Sequence, residues 1–251
     1  MPKRGPDALR AIAITPHYLT HPEGSALISW GDTKVICTAS VEEKVPPWLA
    51  NKGRGWVTAE YDMLPRATGT RKGRDAKKGA ITGRTQEISR LIGRALRAVV
   101  SMEKLGERML TVDCDVIQAD GGTRTAAITG GYVALALAIQ HLQASGQVSD
   151  GVLIDSVAAV SVGVVEGQAQ LDLDYMMDSM AHVDMNVVMT GTGNLVEVQG
   201  TGEQSTFGRD QLDTMLDYAL GALPTLTDLQ TRAVSAPRQD PPATISARSV
   251  T

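Results

Sequence analysis

The run Asp120-Gly121-Gly122-Thr123-Arg124-Thr125 places two flexible backbone positions, two hydroxyls and a permanent cation between a strand-like run (110–117) and a long apolar run at helical spacing (126–142). Glycines let a backbone approach a ligand closely, a threonine at a helix mouth can cap it, and free N–H groups at a helix start attract anions. The expected ligand is a phosphate-sized anion. Alone, such a short motif reads equally as a tight strand-to-helix turn with an ordinary cap. Gly83-Arg84-Thr85 repeats the pattern where another loop meets a helix. Two such turns converging would surround one phosphate with two guanidinium groups and several amides. No Gly-x-x-x-x-Gly-Lys-Ser/Thr occurs, which disfavours nucleoside triphosphate binding of the P-loop kind.

Acidic residues form a second candidate group: Asp172, Asp174 and Asp178, followed by Asp184 and Asn186. In strands, residues two apart share a face, which would pair Asp172 with Asp174 and Asp184 with Asn186. Close carboxylates among apolar residues suit a hard divalent cation such as Mg²⁺. A solvated edge or a salt-bridged cluster is the leading alternative for Asp172 and Asp174, and Asp113 and Asp115 are equally ambiguous. The four histidines share no ligand spacing, and Ser161 and Ser179 lack a Gly-x-Ser-x-Gly context. One Phe and three Trp argue against base stacking across a sheet.

The net charge of −4 conceals an asymmetry. Residues 52–108 hold 14 Lys/Arg and 6 Asp/Glu, a balance of +8, whereas the remainder holds 10 and 22, a balance of −12. Basic clusters are usually solvated surface. Here Gly and Thr interleave Arg66, Arg71, Lys72, Arg74, Lys77 and Lys78 in a loop leading into an arginine-bearing helix, as a phosphate-backbone contact would require.

To position these groups, residues 25–30 and 33–41 read as a hairpin about Gly31-Asp32, with a short strand at 56–60. A helix follows from Arg84, with Ile88, Leu91, Ile92, Ala95, Leu96 and Val99 on one side and Arg90, Arg94 and Arg97 on another. Strands are expected at 155–165, 168–175, 183–190 and 195–199, and a last helix at 209–223. The order gives an α+β fold, two similar βαβα-like halves in one domain over residues 1–223, with helices packed on mixed sheets. Residues 224–251, rich in Pro, Thr, Ala and Ser, read as a frayed tail. No apolar run approaches the ~20 residues that span a bilayer, and residues 1–7 lack the apolar core of a secretory signal. Cys37 and Cys114 read as buried thiols in a reducing compartment, the cytoplasm by default.

From about residue 9 to 223 the chain closely resembles the ribonuclease PH family of phosphorolytic 3′-to-5′ exoribonucleases. The resemblance rests on His21-Pro22-Glu23-Gly24-Ser25, Thr33-Lys34-Val35-Ile36-Cys37, Ala59 through Thr68 (AEYDMLPRAT), Gly83-Arg84-Thr85, Arg90 through Arg97 (RLIGRALR), Asp113 through Thr125 (DCDVIQADGGTRT) and Val183-Asp184-Met185-Asn186. It implies that Arg84, Gly122, Thr123 and Arg124 hold inorganic phosphate, and that Asp178 and Asp184 form a Mg²⁺-associated acidic pole. It further implies that Arg66, Arg71 and Arg74 contact the tRNA acceptor stem, and that six copies form a ring as a trimer of dimers. The implied activity trims tRNA precursors, releasing nucleoside 5′-diphosphates reversibly. The competing class is a catalytically silent RNA-binding ring subunit; such subunits typically lose the arginine or aspartate pairs that this chain keeps. Two departures stand out: the family's opening Arg-x-Asp-Gly-Arg is replaced by Lys3-Arg4-Gly5-Pro6-Asp7, and Met176 and Met177 occupy positions where the family tends to carry glutamate.

Overall fold

The computed structural model describes residues 4–74 and 82–238. The chain opens with an edge strand β1 (Ile12–Pro16), then the hairpin β2 (Gly24–Trp30) and β3 (Thr33–Glu42). Gly31, at φ +56°, provides the left-handed first position of the two-residue turn between them. A 3-10 turn (Pro47–Leu49) precedes β4 (Trp56–Met63), three residues longer than its sequence signal. Helix α1 (Gly83–Arg97), the short α2 (Met102–Leu105), β5 (Met109–Gln118) and α3 (Thr123–Ala144) complete the first half. Its sheet has the order β1-β2-β3-β5-β4, antiparallel except for β4 alongside β5.

The second half holds β6 (Val157–Val165), β7 (Gln168–Leu171), α4 (Tyr175–Met180), β8 (Val183–Thr190), β9 (Leu195–Gly202) and α5 (Arg209–Ser235). Its sheet is antiparallel in the order β7-β6-β8-β9. Helix α3 packs against β2, β3 and β5 of one sheet and β6 of the other, and one continuous apolar core runs through both halves. Such a position explains its uniform apolarity. By length and composition α3 would cross a bilayer, contrary to the expectation that no such run exists, yet 89% of that window is buried inside the protein.

Two expectations fail here. The expected strand over 168–175 stops at Leu171, and Asp174 instead starts α4 by accepting a hydrogen bond from the Met177 amide at 2.9 Å. The last helix does not end at residue 223. It continues through Pro224 to Ser235, because Leu226, Gln230 and Ala233 face the core. The expected flexible tail over 224–251 is therefore helix for its first 12 residues, and residues 239–251 lie outside the described part. Gln230 is 1% exposed, and its Nε2 donates 2.9 Å hydrogen bonds to the carbonyls of Thr129 in α3 and Val157 in β6. A Gln230→Ala variant leaves both carbonyls without that donor, and should lose about 1–3 kcal/mol of unfolding free energy in denaturant melts. An unchanged midpoint would show that this part of α5 adds nothing to the core.

Candidate functional site

At the start of α3, Gly121 and Gly122 both adopt left-handed conformations, at φ +72° and +64°. No side chain caps this helix. The expectation of a threonine cap is thus corrected: Thr123 is the first helical residue, and its hydroxyl accepts a 2.8 Å hydrogen bond from Tyr61 Oη instead. That leaves the helix's first N–H groups to a ligand. At the start of α1, Thr82 caps the amide of Thr85, and Arg84 follows in the first turn.

The two helix starts open into one cavity of about 660 Å³. Its walls include Arg84, Gly122, Thr123 and Arg124 together with Asp178 on α4 and Asp184 on β8. All six residues assigned to phosphate and acid roles therefore share one site. Asn186 lies there too, on the same strand as Asp184.

The remaining acidic candidates lie elsewhere. Asp172 is 1% exposed, and its carboxylate is locked by the Arg4 Nη1 at 3.0 Å, the Arg10 Nη2 at 2.7 Å and the Trp30 Nε1 at 2.9 Å. It is the salt-bridged cluster rather than a metal ligand. Asp113 and Asp115 sit opposite Glu60 and Asp62 in the β4–β5 register, and burial, then like charge, raises both carboxyls above their ordinary range. They do not line the cavity.

Two of the departures in sequence have a structural counterpart, whereas Met176 is 62% exposed and nothing in the structure explains it. Arg4 and Arg10 supply the N-terminal contacts, although the usual Arg-x-Asp-Gly-Arg is absent. Met177 packs on Val165, Leu173 and Ala181, with the Arg4 guanidinium 3.6 Å from its sulfur, so this position serves structure instead of charge.

Arg10 also donates to the Asp120 carbonyl and lies 3.6 Å from the Asp120 carboxylate, which in turn accepts the Tyr175 amide at 3.3 Å. The turn and α4 meet so closely that a Cβ on Gly121 would lie 2.5 Å from the Leu173 carbonyl oxygen. Only glycine fits, both for that reason and for its φ. This contact seats the turn directly against the segment that leads into α4. Sequence reading missed Arg10, Tyr61, Glu87 and Gln199; only Glu87, one helical turn beyond Arg84, carried a spacing signal.

Burial raises the carboxyls of both acidic residues. Asp184 is pushed up to about 6, first by burial and then by the charge of Asp178, against the opposing pull of Arg124 and Arg84. Asp178, open at the rim, is raised by the partial loss of solvent, while Arg84 and Arg124 draw it down. Among the described residues no group of three or more His, Cys, Asp or Glu could cage a metal. Two carboxylates do fit Mg²⁺, which is commonly held by one or two carboxylates together with substrate phosphates and water.

Of the basic loop, Arg66, Arg71 and Arg74 are exposed and lie outside the cavity wall, while Thr68 and Lys72 form part of it. The loop thus leads outward from the site. Lys77 and Lys78 fall outside the described residues.

Known proteins resemble the chain over most of its length. Residues 8–139 match the model for the 3′ exoribonuclease family, domain 1, and residues 155–222 match domain 2. The chain is 60% identical to ribonuclease PH of Bacillus pumilus over 225 residues, covering 89% of this chain and 93% of the relative. It is likewise 60% identical to ribonuclease PH of Bacillus cereus over 227 residues, 90% and 93% of the two chains. In fold it is similar to rice Rrp46, with a TM-score of 0.75 at 18% identity over 92% and 98% of the chains. The Archaeoglobus fulgidus exosome with RNA bound to the active site aligns with a TM-score of 0.74 at 21% identity, over 90% of each. With both domain models matched in order and a 60% identical relative covered almost end to end, the chain belongs to the 3′ exoribonuclease family of ribonuclease PH.

Proposed function

We propose that the protein shortens RNA from its 3′ end by phosphorolysis, with tRNA precursors as substrate and nucleoside 5′-diphosphates as product. The observation that carries this reading is the sharing of one cavity by Arg84, Arg124, an uncapped helix start and two half-desolvated aspartates. Its chemistry is electrostatic, because one anion must attack another. Arg84, Arg124 and the amides at Gly122 and Thr123 would bind inorganic phosphate and orient an oxygen toward the terminal phosphodiester. That P–O bond forms as the bond to the penultimate 3′ oxygen breaks, and the shortened RNA leaves with a free 3′ hydroxyl. Similar phosphate bonds are exchanged, so nucleotide addition from diphosphates should run on the same site.

Asp178 and Asp184 would hold Mg²⁺, which supplies charge neutralisation at the scissile phosphate and the leaving oxygen. The exposed Arg66, Arg71 and Arg74 would track the folded part of the RNA through its backbone. The ring of six copies, a trimer of dimers, belongs to the same proposal, and the occurrence of this fold in exosome cores supports it. Two free buried thiols accord with a reducing compartment such as the cytoplasm.

Incubating the protein with RNA, Mg²⁺ and phosphate should release nucleoside diphosphates; release of monophosphates at equal rate without phosphate would reject the reading. In Arg124→Ala, turnover should fall on the order of 10²-fold or more while RNA affinity in a filter-binding assay stays nearly constant. Replacing Arg71 and Arg74 with alanine should weaken tRNA more than a short single strand, and flatten the salt dependence by about one unit of slope for each phosphate no longer neutralised. Equal effects on both substrates would remove the loop from tRNA recognition.

For Asp184 the sign of the pH effect is fixed by its raised carboxyl. The folded state holds the proton more tightly than the unfolded chain, so this group lowers stability as pH rises from about 4 to 6, and the loss is complete above that window. Asp184→Asn should therefore be more stable than the parent at pH 7.5, by on the order of 1–2 kcal/mol after allowance for solvent, with no gain near pH 4. The same variant should lose Mg²⁺-stimulated activity. Thermal melts across pH, paired with Mg²⁺ titrations, check both halves; a constant stability difference from pH 4 to 7.5 contradicts the burial account.

A further inference from the structure

Arg124 is gripped through one terminal nitrogen. Its Nη1 donates to Gln199 Oε1 at 3.1 Å and lies 3.7 Å from Glu87 Oε1, while Gln199 Nε2 donates to the same Glu87 oxygen at 3.4 Å. The three side chains come from α3, α1 and β9, and all border the cavity. Their frame is braced a second time, where Arg94 of α1 pairs with Glu197 of β9. Arg94 lies two helical turns beyond Glu87, and Glu197 lies two residues before Gln199, so each pair shares a face of its own element. On its other side β9 runs beside the acidic strand, with Gln199 opposite Asn186 and Thr201 opposite Asp184.

A guanidinium carries five N–H groups in a planar fork. Among the described residues only Nη1 is engaged, which leaves the Nε–Nη2 edge to match two oxygens of a phosphate. The chemistry of the grip matters as well. An uncharged amide oxygen at 3.1 Å directs the guanidinium without cancelling its charge, and the one carboxylate in the triangle stands farther away.

We infer that Gln199, oriented by Glu87, is a positioning residue that fixes the Arg124 fork so that one edge faces the phosphate nucleophile. This rests on the phosphate role proposed for Arg124. It adds that the affinity for phosphate is set from β9, a strand that sequence reading left without any part in the site.

The test uses the full-length protein and inorganic phosphate. Gln199→Met keeps the length and removes both hydrogen bonds; Gln199→Glu keeps the acceptor but adds charge beside Glu87 and near the incoming anion. Both variants should raise KM for phosphate about ten-fold, the scale of one hydrogen bond to a charged group, while KM for RNA moves by less than about two-fold. In an Arg124→Lys background, which has no fork to orient, Gln199→Met should add nothing further. A purely structural role would instead move both KM values together or give additive effects in the double variant, and either result overturns the assignment, as does an unchanged phosphate KM. The midpoint for thermal protection by phosphate without RNA gives a readout independent of turnover, with about ten-fold more phosphate expected for Gln199→Met. Should the parent protein release no diphosphates from RNA, the functional reading fails, yet this RNA-free titration still decides whether Gln199 governs phosphate binding.

Discussion

The buried carboxylate of Asp172 is the constraint on which the rest of the site depends. A charge at 1% exposure is tolerable only when its lone pairs are filled, and here two arginines, one indole and the Arg10 backbone amide fill them. These donors come from the N-terminal segment and from the end of β2, whereas Asp172 itself follows β7 of the other sheet. The ion pair therefore stitches the two halves together. Asp172 reaches this position at φ +58°, a conformation that aspartate tolerates better than most residues. Arg10 extends the same network to Asp120, and Asp120 holds the amide that begins α4. The separation between the glycine turn at the start of α3 and the acidic side chains is thus defined by a buried polar network rather than by a free loop.

The same principle explains how opposite charges coexist across the cavity. Arginines and aspartates this close would neutralise one another if they met, leaving neither an anion site nor a cation site. Arg124 is instead drawn sideways to Gln199, on the outer strand of the second sheet, and to Glu87, on the helix of the first. The aspartates remain near enough to feel both guanidinium groups, yet burial outweighs that attraction and keeps their carboxyls raised. Such an arrangement costs the protein stability, and perturbed carboxyls in a cleft are characteristic of binding sites.

Much of this was legible in sequence where a single period governed a whole element. The β2–β3 hairpin, α1, β5 and α3 were read correctly because alternation or helical spacing persisted over many residues, and the glycine–arginine turns stood out at their junctions. The repeated glycine–arginine turn at two helix starts suggested pairing Arg84 with Arg124, whereas the choice of Asp178 with Asp184 from among several carboxylates came from the resemblance to a known family. Failures occurred where tertiary contacts overrode local signals. Alternation in Gln168 through Tyr175 pointed to one strand, but the partners of Asp172 and the cap formed by Asp174 end it at Leu171. Pro224 suggested a stop, since it lacks an N–H for the helix ladder; the core-facing Leu226 and Gln230 carry the helix onward. Gln199 offered no local cue, because its role exists only once β9 lies against α1.

These features put the cavity at a seam. The first family domain contributes both arginines and the glycine turn, and the second contributes both aspartates and Gln199. Neither half contains a complete site. What keeps the seam closed is the unusual environment of α3, covered by one sheet on one side and a strand of the other sheet on its opposite flank. A helix whose first turn lines the cavity must not shift along its axis, and a largely apolar surface, 89% buried over its apolar window, gives it no alternative register that preserves packing. The apolar length that imitates a membrane span is, in this protein, what holds Arg124 and its neighbouring amides at a fixed height above the acidic strand.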